Sequence, residues 1–156
     1  MAMQELPEEL NKKVKELMDE AYKLSYYNKE SKATEKYKEA FALIPEPKNN
    51  WVYASVSAHN IASYYNHQAM YKAKNEEQKR ALLEEALVWY KVVMSVPYNI
   101  GIGFNHLRIG QVRYELGDFE KAKDEFMRVY MADGEEGFSD DDPKYFELIK
   151  PIIDKK

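Results

Sequence analysis

Residues 109–126 read IGQVRYELGDFEKAKDEF. The Gly-Asp pair in the middle of this segment predicts two helices joined by a tight turn. Gly117 can adopt the positive φ of such a turn, and Asp118 can cap the helix that follows. Gly110 is small where the two helices would approach each other, and Phe126 is large enough to fill the groove beside it. The segment therefore predicts a closely packed helical hairpin.

Signals on either side of this segment predict further helices. Pro7 can open the first helix, Asn28 suits a left-handed turn, and Ser31 can cap the second helix. Asp142 followed by Pro143 is typical of a helix start. The apolar residues expected to form one face of the third helix are Val52, Val56, His59, Ile61, Ala62 and Tyr65, and those of the fourth helix are Leu83, Ala86, Leu87, Tyr90 and Val93.

These signals predict a single all-α domain. Its hairpins cover residues 7–45, 51–95 and 104–133, and a last helix covers residues 142–154. The polar residues 72–79 are either the end of a long third helix or a short connector.

Helical hairpins recurring at regular intervals indicate an internal repeat. The spacing of Gly110, Gly117, Ala122 and Phe126 resembles the tetratricopeptide repeat (TPR). The other hairpins match less completely, and the middle one contains an insertion. Their matching residues are Ala33, Tyr37, Ala40 and Pro45 in the first hairpin and Tyr64, Ala86, Tyr90 and Val93 in the middle one.

The C-terminal third also resembles a family of short bacterial TPR-containing proteins. The similar segments are NHLRIGQ (105–111), YELG (114–117) and DPKYF (142–146), and the residues 45–48 and Trp51 resemble the upstream half of that family. The resemblance implies a right-handed solenoid of three hairpins closed by a terminal capping helix. Some proteins of this kind look like toxin-neutralising (immunity) proteins, so this role is implied too.

A stack of this kind places the first helix of each hairpin on a concave face. The chain has 13 tyrosines, a residue type that combines a large apolar ring with a polar tip and suits protein recognition. The alternative is that these tyrosines pack between adjacent helices. The residues predicted to bind a partner protein are Tyr22, Tyr26, Tyr65, Asn66, Gln111 and Tyr114.

Composition limits the classes of partner. The net charge is −4, from 23 basic and 27 acidic residues, which argues against nucleic acid and anionic lipid. The chain has no cysteine, which fits a cytoplasmic protein. No apolar run approaches the ~20 residues of a membrane span, and Met1–Leu10 does not resemble a signal peptide.

No recognisable catalytic, cofactor or metal motif is present. His59 and His67 are too far apart along a helix to chelate one ion directly. His106 could meet the third helix, and His67 with it, or be a packed, hydrogen-bonded residue. The glycines at 101 and 103 lack the preceding strand and the following Lys-Ser or Lys-Thr of a phosphate-binding loop.

The segment from Glu135 to Asp142 is expected to form an acidic loop. It could meet a basic partner, such as a nuclease or another cationic toxin, or a metal cation. The alternative is a solvated loop whose last residue, Asp142, caps the following helix.

Together these observations predict a non-enzymatic protein-interaction module. Its partner would be a folded domain, as for an immunity protein, or a peptide segment, as for an adaptor. The alternatives are a self-associating structural protein, such as a homodimer, and an enzyme with an unrecognised site.

Overall fold

A computed structural model describes residues 5–155. These residues form α-helices and three short 3-10 turns, without a strand, so the predicted all-α class is confirmed. The contacts divide the chain into an N-terminal unit, which ends at Val96, and a C-terminal unit, which begins at Pro97. The helices are α1 (Glu8–Tyr26), α2 (Glu30–Leu43), α3 (Val52–Tyr71), α4 (Glu76–Met94), α5 (Gly103–Glu115), α6 (Phe119–Asp133) and α7 (Pro143–Ile153).

The N-terminal unit is a series of helices in which each one packs on the next: α1 on α2, α2 on α3, and α3 on α4. Residues 14, 18 and 21 of α1 are spaced by one helical turn and all are buried. Such an apolar stripe is buried from solvent only when the helix packs on a neighbouring helix. The buried side chains of this cluster are Leu6, Val14, Met18, Ala21, Tyr37, Ala40, Ile44, Ala54 and Ile61.

The turn between α1 and α2 follows one predicted signal and departs from another. Asn28 has a φ of 60°, which confirms the left-handed turn. The prediction that Ser31 caps α2 is wrong, because the helix already begins at Glu30. The Glu30 carboxylate accepts a hydrogen bond from the hydroxyl of Ser25 at 2.9 Å, which ties the two helix ends together without a serine cap.

The connection from α2 to α3 is fixed by hydrogen bonds to carbonyl groups at and just beyond the end of α2. Lys48 Nζ donates to the carbonyl oxygens of Phe41, at 2.8 Å, and of Ile44. Trp51 Nε1 donates to the carbonyl oxygen of Pro45 at 2.9 Å. A cation is favoured at this position, since the C-terminal end of a helix carries partial negative charge.

The predicted apolar face of α3 is partly wrong. Ile61 and Ala62 are buried as expected, but Val52 and Val56 are exposed. Helix α3 packs against both α2 and α4, so its buried positions follow its small residues, which allow two neighbours to approach. The buried positions of α3 are Ala54, Ser57, Ala58, Ile61, Ala62 and Ala69.

Residues 72–75 form a short connector, which settles the open question about this polar segment. Asn75 caps α4, because its side-chain oxygen accepts a hydrogen bond from the backbone N–H of Gln78 at 2.8 Å. The predicted apolar face of α4 is confirmed, since all five of its residues are buried.

The C-terminal unit is built on the hairpin of α5 and α6. Gly117 has a φ of 81°, and the Asp118 carboxylate accepts a hydrogen bond from the backbone N–H of Lys121, so both turn predictions are confirmed. The ring of Phe126 packs directly against Gly110, and both residues are buried. The buried side chains of this cluster are Leu107, Ala122, Phe126, Val129, Phe138, Tyr145 and Ile149.

The end of the chain packs on this hairpin. The Asp142 carboxylate accepts a hydrogen bond from the backbone N–H of Lys144 at 3.0 Å, so the predicted cap of α7 is confirmed. Part of the expected acidic loop is instead a 3-10 turn, Glu135–Phe138. It forms because Phe138 is buried, with its ring centroid 5.7 Å from that of Phe126.

Within residues 5–155, no helix combines the length and the apolar character needed to cross a bilayer. The expectation that Met1–Leu10 is not a signal peptide falls partly on residues 1–4, which lie outside the described residues.

The contact between Gly110 and Phe126 predicts the effect of Gly110→Leu. A Cβ at position 110 would lie 2.5 Å from Cε1 of Phe126, a buried ring that has little room to move. Overpacking of this kind should lower the free energy of unfolding by about 1–3 kcal/mol, measured by thermal denaturation.

Gly101→Leu is the matched control, because a Cβ at position 101 meets no atom within 4 Å. Its melting temperature should equal that of the wild type. Equal melting temperatures for Gly110→Leu and the wild type would contradict the assigned packing of α5 on α6.

Candidate functional site

The last turns of α1 and the residue that follows it present three tyrosines to solvent. Tyr22, Tyr26 and Tyr27 are 69%, 74% and 63% exposed, and the rings of Tyr26 and Tyr27 meet edge to face at 5.2 Å. Tyr22 and Tyr26 are one helical turn apart and therefore share a face. The buried stripe of α1 faces the core, so the other side of the helix carries these rings. They border an open depression of about 530 Å³ lined by Asp19, Glu20, Tyr22, Lys23, Tyr26 and Tyr27.

The predicted partner-binding residues of α3, Tyr65 and Asn66, are less exposed than the tyrosines at the end of α1. Tyr65 is partly buried against the N-terminal core, and its hydroxyl accepts a hydrogen bond from Lys38 Nζ at 2.6 Å. This hydrogen bond is the main cause that raises the pKa of Lys38. Asn66 is partly exposed. Tyr65 therefore links α2 to α3 and offers only part of its surface to a partner.

The prediction that Gln111 lies on the partner-binding surface is wrong, because this residue is buried. It is 5% exposed, and its Oε1 accepts a hydrogen bond from Arg108 at 2.8 Å. Arg108 also pairs with Asp141 at 3.2 Å, in the segment before α7. Gln111 is covered because it stands one turn along α5 from this ion pair, a relation that no local signal reveals.

Tyr114 belongs to a network that holds α7 on α5. Its ring meets those of Phe119 and Tyr145 edge to face, at 5.1 and 5.2 Å. Glu115 accepts hydrogen bonds from the hydroxyl of Tyr145 at 2.9 Å and from Lys144 Nζ at 2.7 Å. Tyr114 is partly exposed, so it contributes to the packing of α7 and still offers part of its surface to solvent.

His106 is a buried link within the C-terminal unit. Its Nε2 lies 2.6 Å from the carbonyl oxygen of Ile100, and its Nδ1 lies 2.6 Å from a carboxylate oxygen of Glu125. A backbone carbonyl can only accept, so Nε2 donates there. Both ring nitrogens are engaged inside the protein, which confirms the packed, hydrogen-bonded alternative for this histidine.

The other histidines do not form a common site. His59 is partly buried, with its ring edge to face with that of Tyr90, whereas His67 is exposed beside Tyr71. In residues 5–155, no group of three or more His, Asp or Glu side chains is placed to hold a metal ion.

The glycines at 101 and 103 do not form a phosphate cradle. Gly103 is the first residue of α5, and a Cβ there would overlap the carboxylate of Asp133. An anion at this helix start would therefore meet a negative charge.

The acidic residues before α7 divide into two groups. Asp141 is paired with Arg108, and Asp142 caps α7. Glu135, Glu136 and Asp140 are exposed. The second group is exposed and makes no ion pair within residues 5–155, and the capping role of Asp142 agrees with the alternative that the sequence left open.

Comparison with protein-family models and with curated proteins gives no match for this chain.

The Glu115 network predicts a pH dependence. Burial, followed by the hydrogen bond to Glu115, raises the pKa of Tyr145 far above its usual value. Above pH ~10 the unfolded chain loses this proton while the folded chain keeps it, so stability falls as the pH rises further. Tyr145→Phe removes this proton and should make the alkaline loss of stability shallower, measured by denaturant unfolding at several pH values.

The control is Tyr98→Phe, at a tyrosine that is 79% exposed. This variant should leave the dependence of stability on alkaline pH unchanged. An unchanged slope in Tyr145→Phe would mean that this hydroxyl does not hold its proton in the folded state.

Proposed function

We propose that this chain is a non-enzymatic protein-binding module whose partner docks on the exposed tyrosines of α1. The observation that carries the proposal is the exposure of three adjacent aromatic rings, Tyr22, Tyr26 and Tyr27, beside an open depression. Tyrosine contributes a rigid apolar ring and a polar hydroxyl at a small entropic cost, and it is enriched among the residues that dominate binding energies.

We further propose that the helices are arranged as a TPR-like right-handed solenoid, with α7 as its terminal cap. Three observations support this arrangement. Helices α1 and α2, α3 and α4, and α5 and α6 form packed pairs. Within the N-terminal unit, each helix packs on the next one along the chain, as in solenoids. The close packing of Phe126 on Gly110 agrees with the repeat spacing from which the resemblance began.

The exposed pair Tyr22 and Tyr26 tests recognition better than Tyr65 or Tyr114. Tyr65 bonds to Lys38, and Tyr114 packs on Phe119 and Tyr145. Truncating either of them would change folding as well as binding. Tyr22 and Tyr26 can be truncated with little loss of internal contact, so any effect on binding is direct.

The double variant Tyr22→Ala/Tyr26→Ala should lose the partner. The measurement is affinity capture from a lysate of the native host, followed by mass spectrometry and a binding titration with the recovered protein. Loss of two central aromatic contacts should weaken binding by about a hundredfold, while the melting temperature stays that of the wild type.

Tyr71→Ala/Tyr98→Ala is the matched control, because these tyrosines are 74% and 79% exposed and do not line the depression beside α1. It should retain the partner. If the α1 variant retains the partner, the binding site lies elsewhere. If only further copies of the chain are recovered, a self-associating structural protein is favoured.

If the recovered partner is toxic when produced alone, the role is that of an immunity protein; otherwise it is that of an adaptor.

A further inference from the structure

A second open surface lies in the C-terminal unit, next to α7. It is a groove of about 490 Å³ whose accessible apolar residues are Pro143 and Phe146, with the buried Phe138 at its base. The ring centroids of Phe138 and Phe146 are 5.3 Å apart, so the buried ring of Phe138 supports that of Phe146. The residues around these apolar side chains are predominantly acidic: Glu135, Glu136, Asp141 and Glu147, with Ser139 and Lys150 completing the lining.

The segment that forms this groove carries a large negative charge. Residues 133–150 contain seven Asp or Glu and two Lys, a net charge of −5, against −4 for the entire chain. The remaining residues therefore carry a net charge of +1. The charge of this segment therefore favours a cationic partner.

Several of these carboxylates have no role inside the protein. Asp141 and Asp142 are used, by Arg108 and by the start of α7. Glu135, Glu136 and Glu147 are exposed and take part in no ion pair within residues 5–155. Neighbouring like charges repel each other, and a cationic partner would relieve that repulsion.

We propose that this groove docks a basic segment of a partner protein. An apolar side chain of the segment packs on Pro143 and Phe146, and flanking Lys or Arg side chains pair with Glu135, Glu136 and Glu147. The apolar contact provides binding energy, whereas the acidic rim provides selection and speeds association. The groove is formed by residues other than the tyrosines at the end of α1, so the inference goes beyond the proposed function and stands without it.

The test uses a defined probe. A short fluorescein-labelled peptide, with two leucines flanked on both sides by lysines, is titrated with the full chain by fluorescence anisotropy. The triple variant Glu135→Gln/Glu136→Gln/Glu147→Gln should bind it about tenfold more weakly or worse than the wild type. A peptide of the same length made of lysines alone should also bind more weakly, since it leaves the apolar residues of the groove uncovered.

The matched control is Glu5→Gln/Glu16→Gln/Glu35→Gln, which changes the net charge equally at exposed positions of the N-terminal unit. It should retain wild-type affinity, as should Tyr22→Ala/Tyr26→Ala. Equal weakening by both glutamine triples would overturn the proposal, because binding would then follow total charge and not the groove. Equal affinity for the lysine-only peptide would overturn it as well. Loss of the peptide in the tyrosine variant would assign the peptide to α1.

Discussion

The ring of Phe126 packed against Gly110 is the contact on which the C-terminal unit depends. It sets the distance between α5 and α6, since no side chain at position 110 stands between the helices. The same ring lies 5.7 Å from that of Phe138 and 5.6 Å from that of Tyr145. One buried side chain therefore positions the hairpin, the 3-10 turn and α7, and with them the apolar and acidic sides of the groove.

The polar groups of this unit divide into those that hold the fold together and those left open. Glu115 accepts hydrogen bonds from Tyr145 and Lys144. Arg108 donates hydrogen bonds to Gln111 and Asp141. These groups join α5 to α7 and to the segment before it, so their removal would cost folding energy and would be misread as loss of binding. The exposed tyrosines of α1 and the carboxylates at positions 135, 136 and 147 have no such commitment, which is why the binding proposals rest on them.

Local signals in the sequence predicted much of the secondary structure. The turns at Asn28 and Gly117 and the caps at Asp118 and Asp142 are confirmed, because each depends on residues within one helical turn. Ser31 failed as a cap, although its type was suitable, since the chain already turns helical at Glu30.

Contacts between distant residues could not be predicted in the same way. Gln111 is buried because Arg108 reaches Asp141, 33 residues away, and Tyr114 is packed by a tyrosine from α7. The face of α3 was partly misread because two neighbouring helices, and not one, cover it. The repeat architecture, the partner and the role in toxin neutralisation or as an adaptor rest on resemblance and exposure, and they stay predictions.

The central claim is that a partner covers the tyrosines of α1, and hydroxyl-radical footprinting measures this directly. The chain is oxidised alone and in complex with the purified partner, and the modification of each tyrosine is quantified by mass spectrometry. The account predicts that Tyr22 and Tyr26 lose reactivity in the complex while Tyr71 and Tyr98, which are at least as exposed, keep theirs. Unchanged reactivity of Tyr22 and Tyr26 in a saturated complex would contradict it.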